Sequence, residues 1–432
     1  MITDCCGWSA LAGETRQLSE LRQLQVADIA IVGAGFTGLA AARRYAELRP
    51  ESRVLLIDAK SIGQGASARN SGFAVANESP GHSQLQTAQG LASYQTMNRL
   101  DHAGVSELRR LIEAHDLPCQ WEDTGSIHAA HDPRNFDKLH HHVATFQKMG
   151  VDARLLEADS LRDRLGTGFY KLGVESRGGA LLQPAMLVKG LLENLPPNVE
   201  CFENTPVQCV DRTNNGWTLS LPNGSVQADQ VIVAVNAFFP RLGFKSMRVF
   251  PLALTASLTR PLTAQEESEI NHAPSWGILS PQSLGATMRL TKDRRILIRN
   301  TGEYRPSGIS PALLAERKKQ HVAGLKRRFK FIDESAIAYS WSGTICISRN
   351  SKPVFEESAP GLFLCGGYNA SGVSRGTIMG RLVSDLALGK PSSLLNDALS
   401  LKKPNLIPPR PFFDLMAKGK LHFERSAALT ER

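Results

Sequence analysis

The stretch ADIAIVGAGFTGLAAARRYAEL, beginning at Ala27, constrains the fold of this 432-residue chain more than any other. Its apolar run Asp28–Val32 reads as a buried strand, and its small-residue segment Leu39–Leu48 reads as a helix. Between them stand Gly33, Gly35 and Gly38, in the spacing G-x-G-x-x-G. Gly33 permits a tight turn, Gly35 lets a pyrophosphate approach the backbone, and Gly38 lets helix and strand pack closely. Free N–H groups and the dipole at the helix start favour negative charge there. A second apolar strand, RVLLID, ends at Asp58, where a carboxylate can accept from ribose hydroxyls. Strand, glycine turn, helix, strand and acid read as a dinucleotide-binding unit; a turn needing only backbone room is the alternative. The candidate nucleotide contacts are Gly33, Ala34, Gly35, Phe36, Thr37, Gly38, Asp58 and Ala59.

The length suffices for two sizeable cores, and 42% apolar residues is ordinary for a globular protein. No apolar run is long enough for an integral membrane segment, and the N-terminus lacks the pattern of a secretory signal. Seven scattered cysteines without a C-x-x-C pair suit a reduced, cytoplasmic chain. The formal charge is +9, but Arg289 to Lys330 alone holds thirteen Lys/Arg against three Asp/Glu. A solvated surface is the favoured reading of that stretch. Nucleic acid is not expected, because interleaved aromatics and a matching fold are missing, whereas an acidic substrate or an anionic membrane surface stays open. His128, His131 and His140–His142 match no standard ligand spacing and read as a solvated helix, with no metal.

Residues 1–27 read as a lead-in on the surface, 86–150 as mostly helical, and 199–236 as short strands with a hairpin at PNGS, Pro222–Ser225. RRILIRN reads as a strand and ALLAERKKQHVAGLKRRF as a basic helix. The Lys/Pro-rich stretch from Leu401 reads as a surface tail.

The glycine turn alone does not separate FAD from NAD. QGASARNSGF, Gln64–Phe73, follows the acidic strand end directly and suits a loop running under a flavin; an ordinary Gly/Ser loop is the alternative. GAGFTGL and GASARNSGF together resemble the D-amino-acid-oxidase-like family of FAD-dependent oxidoreductases, and more narrowly its γ-glutamylputrescine-oxidase-like branch. That branch usually has G-A-S-G-R-N-G-G; here Ala68 and Ser71 replace two glycines. ENTPVQCV (Glu203–Val210) resembles the strand that meets adenine near Val207, and VIVAVNAF (Val231–Phe238) the strand returning to the flavin domain. LFLCGGYNASGVSRGTIMGRLVSDLALG (Leu362–Gly389) resembles the final strand, glycine turn and helix, whose helix N-terminus favours negative charge near the N1/O2 end of a reduced flavin.

The resemblance implies an α/β fold with a Rossmann-like FAD-binding domain of the glutathione-reductase type and a second α+β substrate domain. The FAD domain is expected from 1–85, 152–243 and 336–400, the substrate domain from 86–151 and 244–335, and a surface tail from 401–432, with the active site between the domains. It adds to the FAD contacts Gly65, Ala66, Ser67, Arg69, Asn70, Ser71, Gly72, Val207, Ala234, Asn236, Gly343, Gly366, Gly367, Tyr368, Asn369, Ser371 and Gly372. It also implies oxidation of the C–N bond of an amine or amino acid by hydride transfer to flavin N5. The imine is then hydrolysed and O2 reduced to H2O2. Arg69, Trp341 and Tyr368 are the candidates beside the ring, and Arg289, Trp341 and Tyr368 those for substrate. For Trp341 a core aromatic is an equal alternative, and for Arg289 a solvent-facing strand arginine is the favoured one. Relatives that bind FAD covalently do so through a cysteine; alignment puts Gly343 at that position, so noncovalent FAD is expected and Cys346 reads as a packed strand residue. Two rivals stay open: a dehydrogenase passing electrons to a quinone or carrier protein, docked by the basic stretch, and a non-catalytic flavoprotein subunit of a complex.

Overall fold

The computed structural model describes residues 4–14, 16–78, 85 and 87–432. Two eight-stranded sheets organise it. In the first, the strand Gln25–Val32 lies between Val54–Ile57 and Gly224–Val233 and runs parallel to both. Leu362–Gly366 continues the sheet beyond Gly224–Val233, and Val199–Phe202 continues it beyond Val54–Ile57. Residues 29–32, 54–57, 231–233 and 362–366 of these strands are buried on both faces because both are covered. Ile29, Ile31 and Leu56 face a core shared with the helices Phe36–Leu48 and Ser374–Ala387. Ala30, Val32, Leu55 and Ile57 face the opposite core, closed by Trp217, Leu219 and Leu221 of the strand Gly216–Leu221. That strand joins Gly224–Val233 through the expected hairpin, with Leu221 opposite Gly224.

The second sheet begins with Ile337–Ser348, Val249–Thr259, Ile296–Arg299 and Thr287–Leu290. It continues through Trp276–Leu279, Ser126–Ala130, Leu172–Ser176 and Ala153–Glu157. The basic segment is the helix Pro311–Arg328, which packs on this sheet through Leu325. The molecule is thus the mixed α/β architecture expected.

The division of the chain differs in three places. Residues 153–157 and 172–176, assigned from sequence to the flavin domain, lie in the second sheet instead: Leu172–Ser176 pairs with Ser126–Ala130, and Ala153–Glu157 pairs with Leu172–Ser176. Residues 337–348, likewise assigned to the flavin domain, pair along Val249–Thr259 in that second sheet. The expected boundary at 85/86 falls beside 79–84 and on 86, outside the described residues. The segment from Leu401 is more than a tail: it forms the helix Phe412–Ala427 and ends with Glu431 buried.

Candidate functional site

The glycine turn leaves the strand Gln25–Val32 with Gly33 at φ +100°, a left-handed conformation that suits glycine. Gly33 N donates to Ile57 O at 2.7 Å, so the turn closes against the neighbouring strand. Gly35 is the N-cap of the helix Phe36–Leu48, and no side chain caps it. A Cβ on Gly35 would lie 2.6 Å from Ser67 Oγ, and one on Gly38 would overlap Gly33 O. Each of the three glycines therefore sits where the main chain comes close to another group.

Asp58 points into this turn. Its carboxylate accepts from Ala34 N at 2.9 Å and from Lys60 N at 3.0 Å, while Ala59 beside it is exposed. Burial raises the Asp58 carboxyl above its ordinary value, against the pull of those two N–H groups.

The second loop folds back onto the turn. Gly65 opens a single helical turn, Ala66–Arg69, and nothing lies within 4 Å of a Cβ built on Gly65. Ser67 Oγ accepts from Phe36 N at 3.0 Å and ties the two elements together. Asn70 closes the loop, with its amide donating to Ser67 O and its carbonyl accepting from Gly72 N. Ala68 is fully buried in the short helix, and Ser71 is half-buried, so both replacements of the family's glycines are accommodated.

Gly366–Gly372 forms the third wall. Gly366 is buried against Phe239, and Gly367 N donates to Asn236 Oδ1 at 3.0 Å, with Asn236 itself left-handed. Ala234 N donates to Val32 O, which brings that strand end beside the first turn. Asn369 accepts from Ser348 N at 2.9 Å, and Ser371 bonds Glu78. Gly372 precedes the helix Ser374–Ala387, which lies along Phe36–Leu48 at Gly380; Ser384 Oγ donates to Ala41 O, and Arg44 pairs with Asp385 at 2.7 Å. Thr37 Oγ1 and Tyr368 Oη are 2.8 Å apart. The starts of both helices thus meet at one end, and their positive dipole ends converge there. Burial pushes the Tyr368 phenol well above its ordinary value. Val207 lies in the link between Val199–Phe202 and Cys209–Thr213 rather than in a strand, and Thr205 N anchors that link to Asp58 O.

The ring-side candidates are placed by the second sheet. Trp341 is 1% exposed and donates from Nε1 to Arg69 O at 3.1 Å. Trp8, from the lead-in segment, donates to Asn70 O at 2.8 Å and meets Trp341 edge-on, with centroids 6.2 Å apart. The two indoles therefore hold the carbonyls at the end of the second loop. Arg69 reaches Ser342 O at 2.9 Å and Asp4 at 3.0 Å, and Gly343 faces its Cβ. Cys346 is buried, and burial pushes its thiol up to about 12, as a packed strand residue requires.

Arg289 is not the solvent-facing strand arginine favoured from sequence: it is 0% exposed. Its Nη1 donates to Leu182 O and Gly72 O, and its guanidinium lies 5.5 Å from the Trp8 ring centroid. Nε and Nη2 have no hydrogen-bond partner among the described residues, nor has Glu122 Oε2, 4.0 Å from Nη2. Burial draws the guanidinium down to about 10, so it stays charged at neutral pH.

Sequence reasoning missed Trp8 and Arg375. Arg375 pairs with the fully buried Asp101 and donates to Tyr368 O at 3.3 Å, fixing the third wall from behind. Neither residue stands in a motif spacing that could have announced it.

Two surface readings change. The basic stretch is only partly a solvated surface: Lys292, Arg305, Lys319, Lys326, Arg327 and Lys330 are exposed, but Arg317 and Arg328 are buried, Arg294 pairs with Glu267, and Arg327 and Arg328 donate to carbonyls of residues 429–432. His128 and His142 are buried and in edge-on contact, while His140 and His141 are exposed. No helix among the described residues is long and apolar enough to cross a membrane.

These features fit a dinucleotide cofactor: two helical starts that converge at one end, glycines where the main chain comes close to its neighbours, and an acid aimed at the turn. A family model described as FAD dependent oxidoreductase matches residues 28–386. The probable oxidoreductase OrdL of Haemophilus influenzae is 25% identical over 93% of this chain and 92% of its own. The gamma-glutamylputrescine oxidoreductase of Escherichia coli is 24% identical over 88% of each chain. Among solved structures, glycine oxidase from Geobacillus kaustophilus superposes with a TM-score of 0.69 at 20% identity, covering 85% of this chain and 96% of that one, and so shares the fold.

Proposed function

The chain belongs to the FAD-dependent oxidoreductase family, and from that premise we propose that it oxidises the C–N bond of an amine or amino acid. When bound, FAD supplies a two-electron acceptor for the hydride equivalent on the carbon beside nitrogen. The Gly33–Gly38 turn and the Gly65–Arg69 loop would hold its pyrophosphate, and Asp58 a ribose hydroxyl. The Gly366–Gly372 turn would meet the pyrimidine end of the ring. Gly343 offers no thiol for attachment, which supports noncovalent binding.

The observation that carries the amino-acid reading is Arg289, a buried cation whose Nε and Nη2 have no hydrogen-bond partner among the described residues, with the Glu122 carboxylate 4.0 Å from Nη2. A substrate carboxylate set against those two nitrogens would make a bidentate contact and leave the amine free to point elsewhere. The Trp8 ring lies over the guanidinium, its centroid 5.5 Å away. The overall reaction we propose consumes amine, water and O2 and gives a carbonyl compound, ammonia or a smaller amine, and H2O2. The reacting nitrogen must be unprotonated.

An anaerobic screen of polyamines, alkylamines and D- and L-amino acids against the yellow holoprotein tests this reading. An amino acid should bleach the visible flavin band, and air should restore it with peroxide formed. Replacing Arg289 by Met should raise the KM of that amino acid at least tenfold, a loss of about 1.4 kcal/mol or more, and leave the matching decarboxylated amine unaffected. Bleaching by no amine or amino acid would refute the reading.

A further inference from the structure

Twelve large apolar side chains are exposed among the described residues, and six of them lie between Leu406 and Leu429. The helix Phe412–Ala427 explains the concentration. Phe413 and Ala417 turn inward, with Phe413 4.8 Å from the Phe250 ring, and Tyr304 Oη donates to Asp414 at 2.7 Å. A helix advances by 3.6 residues per turn, so Phe412, Leu415, Met416 and Phe423 fall together on the outward arc. They are 67%, 68%, 58% and 74% exposed. Phe412 and Phe423 therefore stand proud of the molecule as bare aromatic rings.

Charge frames this arc. Lys418 borders one side of it and Lys420 the other, and both are exposed. No carboxylate lies on it: Asp414 is bound to Tyr304, Glu424 is inward of Lys420, and Glu431 is buried. Lys420 lies 3.7 Å from Glu424, and Arg410, 60% exposed, lies 3.6 Å from Asp414, so among the described residues Lys418 carries the unmatched charge on this rim.

We propose that this helix seats the protein on an anionic lipid surface, lying in the plane of the interface with its aromatic side chains in the acyl boundary. Lysines on both flanks of an apolar arc keep their stems on apolar surface and their ammonium groups among headgroups. A second copy of the chain suits the arc less well, because a two-fold contact would bring the same lysine rims towards each other. The proposal is independent of the reaction assigned above.

Flotation of the full-length holoprotein with vesicles tests it, using phosphatidylcholine with 30% phosphatidylglycerol against pure phosphatidylcholine. Recovery with the anionic vesicles should be at least fivefold higher and should fall in 0.5 M NaCl. The triple variant Phe412→Ser, Met416→Ser, Phe423→Ser should lose it, as should Lys418→Glu with Lys420→Glu. These are exposed side chains, and an unchanged thermal melt shows that the fold is intact. A Phe423→Trp variant should report the same event as a blue-shifted emission. Equal recovery with and without anionic lipid, or recovery unchanged in the triple variant, would overturn the proposal. So would a concentration-dependent dimer that the triple variant abolishes, which would assign the face to a second copy.

Discussion

Gly38 has no room for a methyl group, because a Cβ there would overlap Gly33 O. In a Gly38→Ala variant the helix Phe36–Leu48 must move away from the turn, and overpacking of this kind costs about 1–3 kcal/mol. We expect the purified variant to be colourless, read from the ratio of visible to ultraviolet absorbance, and to melt at lower temperature. Yellow protein with the parent's flavin content would show that this close approach does not shape the cradle. Residues of this kind were legible because their reasons are local: Gly33, Gly35 and Gly38 serve one turn, and Asp58 ends the next strand. Arg289 was not legible. A strand arginine looks the same in sequence whether it faces water or another element, and its burial depends on Gly72, Leu182 and Trp8, which lie far away along the chain.

At the level of elements, the last helix is held by its far end. Glu431 is 1% exposed and accepts from His131 N, Asp132 N and Asn135 Nδ2, while Arg327 and Arg328 grip the carbonyls around it. Replacing Glu431 by Ala leaves those donors buried without their acceptor, at a cost of about 1–3 kcal/mol. Limited trypsin digestion should then cut at Lys418 and Lys420 several-fold faster than in the parent chain; unchanged cleavage would mean that the arginines suffice. The hairpin and the basic helix were readable from turn chemistry and periodicity. The docking of the terminus was not, because a polar tail carries no periodic sign of the surface it will meet. The strands Ala153–Glu157 and Leu172–Ser176 show the same limit: they were assigned to the flavin domain by their place in the chain, and nothing in ARLLE or LGVES says which sheet it joins.

Across the whole molecule, buried histidines tie stability to acidity. Burial draws His128 down to about 4 and His321 to about 3, from an ordinary value of 6.5. Both are neutral when folded and take up a proton when unfolded below that ordinary value. Their stabilisation is therefore full above pH 6.5 and is lost as pH falls towards 4 and 3. Each contributes a slope of up to about 1.4 kcal/mol per pH unit in that window. Urea unfolding at pH 7.5 and pH 5.5 should show the fall, and His321→Asn should remove one residue's share of it. An equal pH difference in the variant would assign the effect to other groups. The interleaving of the two sheets also bears on how the chain is made. The strand Gln25–Val32 leaves the ribosome early, yet one of its two partners is Gly224–Val233. At about 5–20 residues per second, an apolar edge waits roughly 10–40 s for that neighbour to be synthesised. A nascent chain of this design spends that interval in need of a chaperone's shelter, and slowing translation before residue 233 would lengthen its exposure to aggregation.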